Sequence, residues 1–207
     1  MSDPLSIVLG WLFGTLTPGI ADAIRQPKRR SALAKALRAD FDELRYKLAL
    51  VADRMRARTG TMDEASLALI REVIESYRGT EADRAFQQSF GKLLARGTAT
   101  YIAAHNEMKG KGSPYPVRYE LPFLDAHLQD LDMFDATAQS AVLRVRGEFH
   151  LFNEQVDQTR AFHDRSYTVA AVNHAGNTQN YEESLGQLAY RAEALIRAIN
   201  SANDELS

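Results

Sequence analysis

The chain has 207 residues, of which 45% are hydrophobic and 25% are charged, and its formal net charge is −2. This length and composition predict one domain with a sizeable hydrophobic core. Because the sequence contains no cysteine, it excludes a disulfide framework, a thiolate metal site and a cysteine nucleophile. The small net charge hides an asymmetry: residues 25–58 carry eleven bases against four acids, and residues 59–207 carry fourteen bases against twenty-one acids.

The chain begins with an uncharged, largely apolar run over residues 4–21. An α-helix of this length reaches about 27 Å, close to the thickness of a bilayer's hydrocarbon core. The run therefore predicts a hydrophobic N-terminal helix that serves as a membrane anchor over residues 1–24. Nine of its side chains are assigned to membrane contact: Leu5, Ile7, Val8, Leu9, Trp11, Leu12, Phe13, Leu16 and Ile20.

Other interpretations of this run stay open, because interspersed glycine, threonine and proline residues make it marginal for insertion. Pro18 and Gly19 allow a kink near its end, which is typical of an interfacial or re-entrant helix. A helix buried in the core of a soluble protein is a further alternative. A cleaved signal peptide is disfavoured, because no Lys or Arg precedes the run.

Two glycines of the run, Gly10 and Gly14, form a G-x-x-x-G pair. Such a pair lets two membrane helices approach closely, because neither glycine carries a side chain. The pattern predicts self-association through this face and hence a homo-oligomer.

Four bases follow the run directly, and we call them the collar: Arg25, Lys28, Arg29 and Arg30. By the positive-inside rule they place the anchor in the inner (cytoplasmic) membrane and the rest of the chain in the cytoplasm; a wholly cytoplasmic protein is the alternative. Anionic lipid headgroups attract each base near the surface by about 1 kcal/mol. Nucleic acid is disfavoured as a partner, because the pI is near 6.2 and no aromatic residue separates the bases between residues 25 and 40.

The remainder, residues 25–207, is predicted to be an all-α, elongated helical bundle. Apolar residues recur with alternating steps of three and four, which indicates long helices with coiled-coil-like seams near 28–58, 135–165 and 178–203. The three seams are Leu37, Phe41, Leu44, Leu48, Val51 and Met55; Ala138, Val142, Val145, Phe149, Phe152, Val156, Thr159 and His163; and Tyr181, Leu185, Leu188, Ala192, Leu195, Ile199 and Ala202.

Three bases lie near the end of the first of these helices, at Arg54, Arg56 and Arg58. Charge runs on helices usually face water. We therefore predict that all three side chains are solvated.

Two shorter helices are predicted near residues 62–78 and 81–108. The sequence from Thr61 to Glu64 has the pattern of a capping box, and Thr80 is placed to cap the second helix. Residues 110–116 contain two glycines and two prolines, which indicates a loop. The linker over residues 118–135 is rich in apolar side chains, so we expect it to pack on the bundle.

We find no set of residues typical of catalysis. His150, Glu154 and Asp157 share one face of a helix, but three ligands from one helix do not complete a four-ligand structural metal site. His163 lies on a seam and is interpreted as a hydrogen-bonded core histidine. Residues 110–113 resemble a phosphate-binding loop only superficially, because no strand precedes them. The sequence predicts no enzyme, no metal and no cofactor.

The function that these features favour is that of a membrane-anchored helical bundle. It would act by assembly or partner binding, as a scaffold, a sensor or a membrane-acting effector, with an unidentified protein partner. The alternative is a wholly soluble helical adaptor or oligomerisation module, whose N-terminal helix is buried in a core or an interface.

Overall fold

Three long helices form most of the protein. A computed structural model describes the backbone of residues 4–112, 114–168 and 174–207. It describes the side chains of residues 26–112, 114–165 and 176–207. The described residues form helices and no strand. In chain order the helices are α1 (Pro4–Thr59), α2 (Glu64–Ser76), α3 (Glu81–Leu94), α4 (Thr98–Asn106), α5 (Pro122–Ala126), a 3-10 helix (Leu128–Met133), α6 (Ala136–Thr168) and α7 (His174–Glu205).

Helix α7 packs along both α1 and α6 and runs antiparallel to each of them. Arg45 of α1 donates to Asn200 at 2.7 Å, whereas Arg56, further along α1, donates to Glu193, which comes earlier in α7. The smaller helices α2, α4 and α5 cover α1, and α3 packs on α4. The all-helical bundle predicted from the sequence is therefore confirmed.

The apolar seams account for the core. Nearly every seam residue of α1, α6 and α7 is buried; Val51 and His163 are the two that are only half-buried. The linker also packs on the bundle as expected, since Leu121, Leu124 and Phe134 are buried. The hydrophobic core of the described residues begins at Leu33 and ends at Leu206.

One predicted helix, over residues 81–108, is in fact two. Gly97 has a φ of 108° and lies between α3 and α4. That angle belongs to the left-handed region, which glycine enters without steric cost and which an α-helix cannot contain. The chain turns there, so α3 and α4 form a hairpin instead of one rod.

The helix caps agree only in part with the sequence. Thr80 and Asp83 form a reciprocal capping box at the start of α3, as the sequence predicts for Thr80. Helix α2 is capped by Asp63, whose carboxylate accepts from the backbone N–H of Ser66 at 2.7 Å, and not by Thr61. The hydrogen bond from Ser66 is the first cause of the lowered pKa of Asp63.

Among the residues whose side chains the structure describes, no helix is both long enough and apolar enough to cross a membrane. The nine predicted anchor residues, Gly10, Gly14 and Arg25 all lie outside those side chains. The predictions of an anchor and of a self-associating glycine pair therefore stay predictions.

Candidate functional site

The first candidate surface is the end of the bundle where the collar lies, which we call the collar end. It is formed by residues 26–38 of α1, by the 3-10 helix with the start of α6, and by the last turn of α7. Lys28, Arg29 and Lys35 are exposed there and have no ion-pair partner among the described residues. These three ammonium and guanidinium groups are free to meet an anionic surface.

Arg30 behaves differently from its neighbours in the collar. Its guanidinium lies 3.3 Å from the Asp135 carboxylate and stands over the ring of Phe134, 5.6 Å from the centroid. Asp135 also caps α6, since it accepts from the backbone N–H groups of Ala138 and Thr137. The hydrogen bond from Ala138 is the first cause of the lowered pKa of Asp135. Arg30 therefore attaches α1 to α6, so its charge is only partly available to lipid.

Two cavities flank α1 at the collar end. One, of about 450 Å³, lies between α1 and the 3-10 helix and is lined by Arg29 together with His127 and Asp130. The other, of about 500 Å³, lies between α1 and the end of α7 and contains Arg38. The Arg38 Nε atom is buried without a hydrogen-bond partner in the described part of the chain.

The second candidate surface lies at the opposite end of the bundle, the far end. Here residues 114–119, which have no regular secondary structure and which we call the strap, pack against the helices. The side chains of other elements donate to its carbonyl groups: the Tyr181 hydroxyl to Pro114 at 2.6 Å and the Arg160 guanidinium to Pro116 at 2.7 Å. The Asn153 amide binds both the N–H and the carbonyl of Tyr119.

Two cavities adjoin the strap. The strap groove, of about 390 Å³, lies between α1, α3 and the strap and is lined mainly by apolar and aromatic side chains. The basic cavity, of about 510 Å³, lies between α1 and the residues after α4, and it contains Arg54, Arg58, His105 and Lys111. Asp53, Arg54 and Pro114 line both cavities, so the two cavities adjoin each other.

A hydrogen-bonded group joins α4 to α1 beside the basic cavity. The Tyr101 hydroxyl donates to Asp53 Oδ1 at 2.9 Å, and His105 Nε2 lies 3.4 Å from the same oxygen. Burial, followed by the charge of Asp53, raises the pKa of Tyr101. Burial alone would lower the pKa of His105, but the hydrogen bond and charge of Asp53, with the carbonyl of Tyr101, together raise it.

This group predicts a pH-dependent contribution to stability. Because the pKa of His105 is raised in the folded protein, its stabilising effect is complete below the unfolded pKa of about 6.5 and is lost as the pH rises through the folded pKa. His105→Gln should therefore lower the free energy of unfolding more at about pH 5.5 than at about pH 8.5, as measured by urea denaturation. These two pH values lie about one unit or more below and above the ordinary histidine pKa. In an Asp53→Asn background the difference between the two pH values should disappear; a difference that persists there would assign it to another group.

Two of the three arginines predicted to face water do not. Arg56 forms a bidentate ion pair with Glu193, at 2.8 and 3.0 Å, and Arg58 is only 9% exposed. The prediction is correct for Arg54, whose side chain is exposed. The partners of Arg56 and Arg58 lie 137 and 54 residues away along the chain, so no local pattern points to them.

The structure also describes the surroundings of His163 and His150. His163 is half-buried, with its ring against Tyr115 at 5.1 Å and Tyr181 at 5.5 Å. His150 and Glu154 are exposed on α6. Over the described residues, no group of three or more His, Asp or Glu side chains is arranged to hold a metal ion.

Comparisons with known proteins add no family to this description. No family model matches the sequence, and neither a curated protein nor a solved structure shows significant similarity to it.

Proposed function

We propose that this protein is a membrane-tethered helical bundle that acts by binding a partner, with its collar end against an anionic lipid surface. The observation that carries the proposal is the position of Lys28, Arg29 and Lys35. These bases are exposed at the end of the bundle from which the chain continues toward the apolar N-terminal run. Each base near an anionic surface adds about 1 kcal/mol of attraction.

Acidic side chains near the collar limit its attraction to anionic lipid. Asp130 and Asp135 lie at the same end of the bundle, and Asp135 pairs with Arg30. The attraction to lipid from the remaining bases is therefore modest. In this proposal the apolar run supplies most of the membrane affinity, and the collar selects anionic headgroups and orients the bundle on the cytoplasmic side.

Partner binding is supported by exposed apolar side chains on α6. Leu143 and Leu151 are 52% and 39% exposed, and they lie eight residues apart on one helical face, with Gly147 between them. Exposed apolar patches on a folded protein commonly mark interaction sites. This face is where we place a protein partner, and self-association through Gly10 and Gly14 would bring copies together in the membrane.

The test is to reverse the charges of Lys28 and Arg29, the two collar bases without an ion-pair partner among the described side chains, as Lys28→Glu with Arg29→Glu in the full chain. Wild type should bind phosphatidylglycerol-containing vesicles better than pure phosphatidylcholine vesicles, by about 10-fold or more for two bases, and the variant should lose this preference. Its melting temperature should not change, because neither side chain is buried.

Lys92→Glu with Arg96→Glu is the matched control, since both of these bases are exposed on or just after α3. This control should keep the lipid preference. An equal preference in wild type and collar variant would reject the role of the collar. Release of the wild-type protein from membranes by carbonate would reject the tether and favour the soluble adaptor.

A further inference from the structure

We infer that the far end of the bundle binds a small amphipathic organic anion, with its carboxylate or phosphate head between Arg54 and Lys111 and its apolar or aromatic body in the strap groove. This site lies at the opposite end of the bundle from the collar. It goes beyond the proposed membrane role and does not depend on it.

The lining of the basic cavity carries an excess of positive charge. Arg54, Arg58 and Lys111 face one carboxylate, that of Asp53. Asp53 is already engaged, because its Oδ1 atom accepts from Tyr101 and lies beside His105. Arg54 and Lys111 are exposed, and their side chains have no hydrogen-bond or ion-pair partner among the described residues. A bound anion would supply the partner that both lack, through charge-assisted hydrogen bonds.

Arg58 has another role in this cavity. Its Nε donates to the carbonyl of Gly112 at 2.9 Å, and its Nη1 lies 3.2 Å from Glu182. Arg58 therefore fixes the wall that carries Lys111, and Glu182 offsets part of its charge. The head of the ligand is assigned to Arg54 and Lys111 for this reason.

The strap groove provides an apolar surface for the body of the ligand. Val51, Phe86, Tyr115 and Tyr119 line it, and Phe86 and Tyr115 remain 38% and 52% exposed. Because Arg54 lines both cavities, a ligand whose head contacts it can extend its body into the groove. Both volumes fall within the about 300–1,000 Å³ typical of small-molecule sites.

The walls of the site are held in place before a ligand arrives. The strap is attached by the hydrogen bonds from Tyr181, Arg160 and Asn153 to its backbone, and the start of α4 and its histidine are attached by Tyr101 and Asp53. A site whose walls are already ordered loses less conformational entropy on binding. A concave site of this size with two free bases suits a small molecule better than a macromolecular surface.

The test measures the binding of four soluble probes to the full chain in phosphatidylcholine nanodiscs by isothermal titration calorimetry. The probes are 1-naphthyl phosphate, 1-naphthoate, neutral 1-naphthol and inorganic phosphate. At least one naphthyl anion should bind saturably and more tightly than both naphthol and inorganic phosphate. The naphthyl anion with the higher affinity identifies the head group, phosphate or carboxylate.

Arg54→Gln and Lys111→Gln should each weaken binding of that anion by about 10-fold, the effect of losing one charge-assisted hydrogen bond. Arg144→Gln and Lys92→Gln are the matched controls, because both remove an exposed base from another surface, and they should leave the affinity unchanged. The melting temperature of all four variants should equal that of wild type.

Three results would overturn the inference. Absence of saturable binding by either naphthyl anion would remove the site. Equal affinity for naphthol would mean that the groove binds apolar bodies without the bases. Equal losses in the cavity variants and the control variants would assign any binding to the general charge of the protein.

Discussion

Replacing Phe41 with alanine is expected to lower the free energy of unfolding by about 3–5 kcal/mol. Phe41 lies on the α1 seam and is fully buried, with 0% of its surface exposed. The substitution removes a large apolar side chain and leaves a cavity that close-packed neighbours fill only in part. Since domains are stable by about 5–15 kcal/mol, this loss is a large fraction of the total.

The measurement is urea denaturation followed by circular dichroism, with Leu188→Ala as a second buried position and Glu154→Ala as the control. Leu188 is also 0% exposed, and about 2–5 kcal/mol is expected there. Glu154 is exposed on α6, so its loss should be below about 0.5 kcal/mol. A loss at Glu154 as large as at Phe41 would mean that α6 buries a different face.

The long helices were predictable from the sequence because each one carries its own evidence. A periodic seam such as the one through Leu185, Leu188 and Leu195 depends only on residues a few positions apart, and burial of one helical face follows from it. Helix α6 begins and ends within about three residues of the prediction, and α1 ends at Thr59 as predicted, although it begins at Pro4 and not near residue 28. Helix α7 begins at His174, four residues before the predicted start.

The break at Gly97 shows where this reasoning stops. Glycine inside a helix costs about 1 kcal/mol relative to alanine, which a helix can tolerate if packing compensates for it. Whether the chain continues or turns is then decided by tertiary contacts. Here Tyr101 of α4 reaches Asp53 of α1, and Phe90 of α3 packs against the Tyr101 ring. These contacts require the hairpin, and no local pattern encodes them.

The sequence does not predict the candidate site at the far end, for the same reason. Arg54 is predicted to be solvated and Lys111 to lie in a loop, and no local pattern points to His105. The spacing of Arg54 and Arg58, four residues apart on one face of a helix, was the one available signal that this face is basic. What brings Lys111 onto it is the contact of Arg58 with Gly112, 54 residues away.

The collar end is the opposite case, since its candidate residues are contiguous in the sequence. Lys28 and Arg29 are exposed as the lipid hypothesis requires. The contact of Arg30 with Asp135 was not predictable, because these residues lie 105 positions apart. Of the three collar bases whose side chains the structure describes, Lys28 and Arg29 have no ion-pair partner among the described residues, and Arg30 joins α1 to α6.

A buried ion pair between α1 and α7 gives the second large effect. Glu193 is 3% exposed, and both of its carboxylate oxygens accept from Arg56, whose side chain is 17% exposed. Arg197 lies 3.6 Å from the same carboxylate. The hydrogen bond to Glu193 is the first cause of the raised pKa of Arg56. Glu193 is the main compensation for this largely buried guanidinium, and the charge of Asp63 adds a smaller contribution.

Glu193→Gln should therefore lower the free energy of unfolding by about 3–5 kcal/mol, since it leaves the Arg56 charge buried and unpaired. The double replacement of Arg56 by Met and Glu193 by Leu removes both charges and keeps similar side-chain volumes. It should be more stable than Glu193→Gln alone, because an apolar pair carries no uncompensated charge. Urea denaturation of wild type, Arg56→Met, Glu193→Leu and the double variant measures the coupling between the two residues. A loss below about 1 kcal/mol in Glu193→Gln, typical of exposed ion pairs, would show that water reaches Arg56 and that the two helices are held by their apolar seams alone.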